Sequence, residues 1–129
     1  MNAAQAGWLA AIRAGAPGVA LEATPFPAAA GAVQALCESA TDALRTDPDA
    51  AARLVDAARS LAAAVGDPWS RALATRSEAM LLWASNRYPA ALERYEAALA
   101  DFELCGDELE CARTRSNALQ TLIYLSRYD

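Results

Sequence analysis

Histidine and lysine are both missing from this chain of 129 residues, and all 11 of its basic residues are arginine. Without histidine there is no imidazole base, no histidine metal ligand and no Ser-His or Cys-His pair. Without lysine there is no Schiff-base amine and no phosphate-loop lysine. Ser70, Ser77 and Ser116 therefore have no base to activate them. The sequence argues against an autonomous enzyme, and no catalytic residue, cofactor or metal is expected. Clustered positive charge is missing too: the arginines stand singly from Arg13 to Arg127, and the net charge is −5. No run of them can track a phosphate backbone, which excludes a nucleic-acid or anionic-membrane surface as the main partner. No apolar stretch approaches the roughly 20 residues of a membrane span. Residues Met1 to Gly15 lack the basic start of a signal peptide. The 3 cysteines, Cys37, Cys105 and Cys111, have none of the close paired spacings of a zinc or redox site. Cys105 and Cys111 flank a turn and are open to bridging in an oxidising compartment. The plainer reading is small packing residues in a reducing cytoplasm.

Alanine fills much of what remains. It gives up no side-chain entropy in a helix, and Val, Ile and Thr are few, so the composition favours helix throughout. No segment alternates with period two for long enough to make a strand. The chain also repeats itself at an offset of about 40 residues. Asp67 falls on Asp107, Ala72 on Ala112, Leu82 on Leu122, and Arg87-Tyr88 on Arg127-Tyr128; Gly106-Asp107 falls back on Gly66-Asp67. Alanine matches are cheap in such a sequence. The Gly-Asp and Arg-Tyr pairs carry the argument because they fall at corresponding boundaries.

Each unit divides into two helices. Asp67-Pro68 is a cap followed by a proline at the first helical position, where the missing N–H costs nothing. The helix that follows, Trp69 to Ser85, sets Ala72, Ala79, Leu82 and Trp83 on one face. A second, from about Pro89 to Leu104, turns Ala91, Leu92, Tyr95, Ala98, Leu99 and Phe102 inward. Gly106 ends it as a left-handed cap, Asp107 starts the next helix, and Glu110 is placed to close a capping box. Earlier helices are expected from about Pro27 to Arg45 and from Asp47-Pro48 to about Val65, and a last one from Glu108 to about Ser126. An N-terminal helix, Asn2 to Ala14, carries Trp8, Leu9 and Ile12. The expectation is one all-α domain over 1–129 with about six helices. It divides into 1–26, 27–66, 67–106 and a half unit, 107–129.

The stretch Leu81-Leu82-Trp83-Ala84-Ser85-Asn86-Arg87-Tyr88-Pro89-Ala90-Ala91-Leu92-Glu93-Arg94-Tyr95-Glu96-Ala97-Ala98-Leu99 resembles the tetratricopeptide repeat family. That pattern has a small residue inside the first helix (Ala79), a tyrosine opening the second (Tyr88), then Ala91, an aromatic (Tyr95) and Ala98. Helices that cross closely admit only small residues there, and an aromatic fills the wedge beside them. Asn86 stands where the family has glycine, and Asn also visits left-handed conformations. In 27–66, Pro48 replaces the tyrosine and Val55 the aromatic; Met1 to Phe26 lies outside the resemblance. The unit looks like the long-helix variety found in bacterial multidomain proteins.

The resemblance implies a right-handed α-α superhelix of antiparallel helix pairs, acting as a protein-interaction scaffold. Its concave face, lined by the first helix of each unit, would hold a peptide or a protein domain. The groove-facing candidates are Leu73, Arg76, Ser77, Met80, Trp83 and Ala84, then Arg113, Ser116, Asn117, Gln120, Ile123 and Tyr124. Arg76, Arg113 and Asn117 are suited to a carboxylate or a peptide backbone. Leu73 and Met80 stand where carboxylate-clamping members are polar, so that mode is not expected. Each candidate also has a plainer reading: Trp83 as packing between helices, Arg76 and Arg113 as solvated charges paired with an acid such as Glu78 or Glu110. Tyr88, Tyr95 and Tyr128 are expected to be structural. The acidic group Asp101, Glu103, Asp107, Glu108 and Glu110 lacks calcium-loop spacing, and capping and solubility explain it. In the 27–66 unit, Val33, Leu36, Cys37, Ala40 and Leu44 are too apolar to lie open and need the Trp8 helix or a partner over them. The last helix lacks a neighbour for Ala118, Leu119, Leu122 and Leu125, which implies a homodimer or a longer protein. The alternative function is an N-terminal regulatory or sensor segment of a larger effector, such as a CHAT-type peptidase.

Overall fold

Three aspartates start three of the helices. In the computed structural model, which describes residues 1–128 apart from the Tyr128 side chain, Asp47 accepts the backbone N–H of Ala50 at 3.1 Å. Asp67 accepts that of Ser70 at 2.8 Å, and Asp107 that of Glu110 at 3.1 Å. Each such cap satisfies a donor the helix cannot pair and contributes about 1 kcal/mol. The helices are α1 (Ala3–Arg13), α2 (Ala29–Ala43), α3 (Pro48–Val65), α4 (Pro68–Ala84), α5 (Tyr88–Cys105) and α6 (Glu108–Tyr128). Among the described residues there is no strand, so the all-α expectation holds. The ends of α3 and α5 are Gly66 and Gly106, at φ 79° and 69°, and Asn86 takes φ 62° between α4 and α5. Those three left-handed residues sit where the sequence placed its breaks. The Tyr128 side chain, expected to be structural, lies outside the described residues.

The capping box at Asp107 does not form. The Asp107 N–H donates to Phe102 O at 3.2 Å instead, and the Glu110 carboxylate turns toward two arginines. Charge attraction outweighs a hydrogen bond to a backbone donor that the turn already satisfies.

Small residues let the helices approach. Ala51, Ala58, Ala72, Ala79, Ala91 and Ala98 are all fully buried, while Ala112, which the repeat offset sets on Ala72, is exposed. The largest closed side chains are Phe102, Leu36, Leu54 and Val33, and the main core runs from α1 through α4 to Phe102 of α5 and Cys111 of α6. A second core, Ala79, Ala91 and Tyr95, lies under Met80, Trp83 and Ala118. Helices α4 and α5 run antiparallel: Arg71, near the start of α4, grips Asp101, near the end of α5, with two bonds of 2.9 Å. Helices α4 and α6 run parallel, because Trp69 meets Asp107, Arg76 meets Glu110 and Thr114, and Trp83 meets Tyr124 in the same order along both. Helix α2 packs against both α3 and α4.

The α2 face expected to need the Trp8 helix or a partner over it is covered chiefly by α3 and α4, with α1 adding Leu9 and Ile12 to the same core. Val33, Leu36, Cys37 and Ala40 are buried beneath α3 and α4, and α1 lies chiefly on α3. Arg53 ties α1 there, its Nε donating to Arg13 O at 2.8 Å. Gly15 follows at φ 73°, where an added Cβ would stand 3.0 Å from Arg53 Cδ. Trp8 instead packs edge-on against Phe26, centroids 5.9 Å apart, and anchors the irregular connection to α2.

Candidate functional site

Polar side chains from three helices converge on one cleft of about 160 Å³ between α2, α4 and α6. Helix α2 supplies Gln34, Cys37, Glu38 and Thr41; α4 supplies Trp69, Leu73, Arg76, Ser77 and Met80; α6 supplies Glu110 and Arg113. The parallel course of α4 and α6 makes this possible, since equivalent turns of each helix face the same opening.

Glu110 is the electrostatic centre. Its Oε1 accepts Arg113 Nη1 at 2.7 Å, and its Oε2 lies 2.6 Å from Arg76 Nη2. The second contact is off the line of a hydrogen bond, so charge carries it. The Arg76 side chain is only 16% exposed and that of Glu110 only 11%, so water screens this pair little. Arg76 is further fixed by Thr114 Oγ1 at 3.3 Å and by the Phe102 ring, whose centroid lies 5.0 Å from its guanidinium carbon. Arg113 is different: its side chain is 61% exposed, and one carboxylate oxygen holds it. It is the cation of this cleft best able to reach a ligand.

The remaining walls are set by ordinary forces. The Trp69 indole N–H donates to Asp107 Oδ2 at 3.2 Å, tying the start of α4 to the cap of α6. Burial pushes the Cys37 thiol up to about 11, against opposing pulls from a hydrogen bond with Ser77 and the Arg76 charge. The thiol is thus a poor nucleophile at neutral pH. Burial likewise raises the Tyr95 hydroxyl to about 12.

Of the groove-facing residues expected from the sequence, Leu73, Arg76, Ser77, Met80 and Arg113 meet in this cleft. Leu73 is 5% exposed and belongs to its floor. Trp83 and Tyr124 meet elsewhere, in an aromatic cluster with Tyr88: Trp83 lies edge-on to Tyr124 at 5.4 Å and to Tyr88 at 6.3 Å. Asn117 is half-buried and Gln120 exposed, and neither lines the cleft. Ser116 and Ile123 are exposed on a different face of α6. Arg76 pairs with Glu110, while Glu78, the other acid considered for it, faces Arg59 at 3.3 Å. The members of the acidic group have their own uses: Asp101 holds Arg71, Glu103 holds Arg115 at 3.1 Å, and Asp107 caps α6. Sequence reasoning missed Trp69 and the polar residues of the α2 wall, and gave Glu110 only as one of two acids considered for the arginines. Gln34, Glu38 and Thr41, spaced four and three apart, form a polar stripe on one side of α2, and that stripe was the available signal.

No family model, curated protein or solved structure matches this chain. No helix among the described residues is long and apolar enough to cross a membrane.

Proposed function

We propose that the chain is a non-catalytic interaction scaffold of tetratricopeptide type, a superhelix of antiparallel helix pairs that holds a peptide or protein segment along the face shared by α2, α4 and α6. One observation carries the reading: α2, α4 and α6, every second helix of the chain, contribute polar and apolar side chains to a single cleft. Its chemistry suits an extended peptide. Arg113 offers a fork for a carboxylate, Gln34 offers an amide for a backbone, and Met80 and Leu73 offer an adaptable apolar floor. The three free thiols suit a reducing compartment, the cytoplasm in this reading.

Panning a random peptide library on the immobilised chain, followed by calorimetric titration, tests the proposal. Arg113→Ala and Gln34→Ala should each weaken the selected peptides about tenfold or more, a loss of about 1.4 kcal/mol, with melting temperature little changed. A library without binders tighter than about 100 μM, or binders indifferent to both changes, overturns the assignment.

A further inference from the structure

The outer face of α6 has no part in the cleft. The side of α6 packed on the rest of the chain carries Glu110, Thr114 and Thr121, all buried. On the opposite side, at spacings of three and four, stand Leu109, Ala112, Ser116, Leu119, Ile123 and Ser126, all exposed. Leu109 and Leu119 are each 60% exposed and Ile123 50%, with Leu122 beside them at 46%. Single exposed leucines are ordinary, but several aligned on the solvent face of one helix form a patch.

We propose that this stripe is the interface of a homodimer in which two α6 helices pack antiparallel about a two-fold axis between Asn117 and Ala118. The order of residues is self-complementary when the helix is reversed about that point. Leu109 then faces Ser126 of the second copy, Ala112 faces Ile123, and Ser116 faces Leu119. Every layer sets a large side chain against a small one, which lets two helices approach closely while filling the space between them. The same operation sets Glu108 of each copy opposite Arg127 of the other, two charge pairs at the ends of the contact. Antiparallel alignment also brings the positive end of each helix dipole beside the negative end of its partner. Parallel pairing would instead put Glu108 on Glu108, Arg127 on Arg127 and Leu119 on Leu119. The 21 residues of α6 provide a contact line of roughly 30 Å, and an isologous contact of this kind closes at two copies. Arg113 lies off the stripe, so the surface is separate from the peptide-binding cleft.

Sedimentation equilibrium and light scattering from about 1 to 200 μM decide the matter. The wild-type chain should be a dimer, and Leu119→Arg should be monomeric with unchanged circular dichroism. Glu108→Arg or Arg127→Glu alone should raise the dimer dissociation constant about 2- to 30-fold, as expected for two exposed ion pairs lost and two repulsions gained. The double change E108R/R127E restores both pairs with reversed sign and should bring the constant back to within about threefold of wild type. A wild-type monomer across this range, with the stripe left to a different protein or to a further segment of chain, overturns the proposal. So does a dimer that survives Leu119→Arg, or a double variant weaker than either single one.

Discussion

Replacing Glu110 by alanine is the sharpest test of the electrostatics that join α4 to α6. The change removes the counter-charge of Arg76, a side chain only 16% exposed and held against the Phe102 ring. Stripping one partner from a fully buried ion pair costs about 3–5 kcal/mol, because the survivor stays desolvated and unpaired. This pair retains some access to water, so about 2–4 kcal/mol is expected. Arg113→Ala removes the other partner of the same carboxylate, but that side chain is 61% exposed, and its loss should cost less than about 1 kcal/mol. The two arginines thus make opposite forecasts from nearly equal distances, 2.6 and 2.7 Å, and burial alone separates them. Urea unfolding measures the difference. With m near 1–3 kcal/mol/M, a loss of 3 kcal/mol moves the midpoint by roughly 1–3 M. A double-mutant cycle with Arg76→Met should give a coupling of about 2 kcal/mol, and R76M/E110L together should lie closer to wild type than E110A does. Equal costs for E110A and R113A, or a coupling below about 0.5 kcal/mol, would refute the argument that Glu110 works through burial.

Other consequences are quicker to check. Asp67→Ala frees both the Ser70 N–H and its hydroxyl, which bind Asp67 at 2.8 Å each, and should cost about 1–2 kcal/mol in thermal or urea melts. Ala91→Leu or Ala98→Leu forces extra methylenes into fully closed sites and should cost about 1–3 kcal/mol or more, whereas Ala112→Leu, on an exposed position, should leave monomer stability nearly unchanged. Under native conditions a maleimide should label Cys105 at once and leave the buried Cys37 and Cys111 unreacted until denaturant is added. The Cys37 thiol, raised from 9.0 to about 11, supports the fold fully below pH 9, where it is protonated folded or unfolded. That support drains away as pH rises from 9 toward 11, about 2–3 kcal/mol in all, and Cys37→Ala should flatten this part of the stability–pH curve.

The helices were legible because their punctuation is local. Asp47, Asp67 and Asp107 each bond the amide three residues on, and Gly66, Gly106 and Asn86 each take the left-handed conformation within their own turn. None of these needs a distant contact, so sequence spacing suffices to find them. The buried alanines were legible for a related reason: a repeat that returns Ala51 and Ala58 at Ala91 and Ala98 implies recurring close crossings. The cleft was legible only in part. Arg76 was found by its position, but its acid was not assigned uniquely: Glu78 is its near neighbour in the chain and Glu110 lies far along it, and only the parallel alignment of α4 with α6 brings the distant acid to it.

Two surfaces of α6 show what decides between a structural and a recognising side chain. Trp83, read from the sequence both as a groove-facing residue and as packing between helices, lies edge-on to Tyr124 at 5.4 Å, with Tyr88 completing the cluster. Aromatic rings at adjacent helix crossings satisfy one another because each removes the other's apolar surface from water. Arg113 has no such option. Its one carboxylate, shared with Arg76, leaves most of the guanidinium in water and most of its donors unengaged, and the charge Glu110 can neutralise is already divided between two cations. The same logic applies to the leucines of the outer stripe, which no other part of the described chain covers. A side chain becomes available for recognition when the fold has not already met its need, and among the described residues Arg113 in the cleft and Leu119 on the stripe are two such cases.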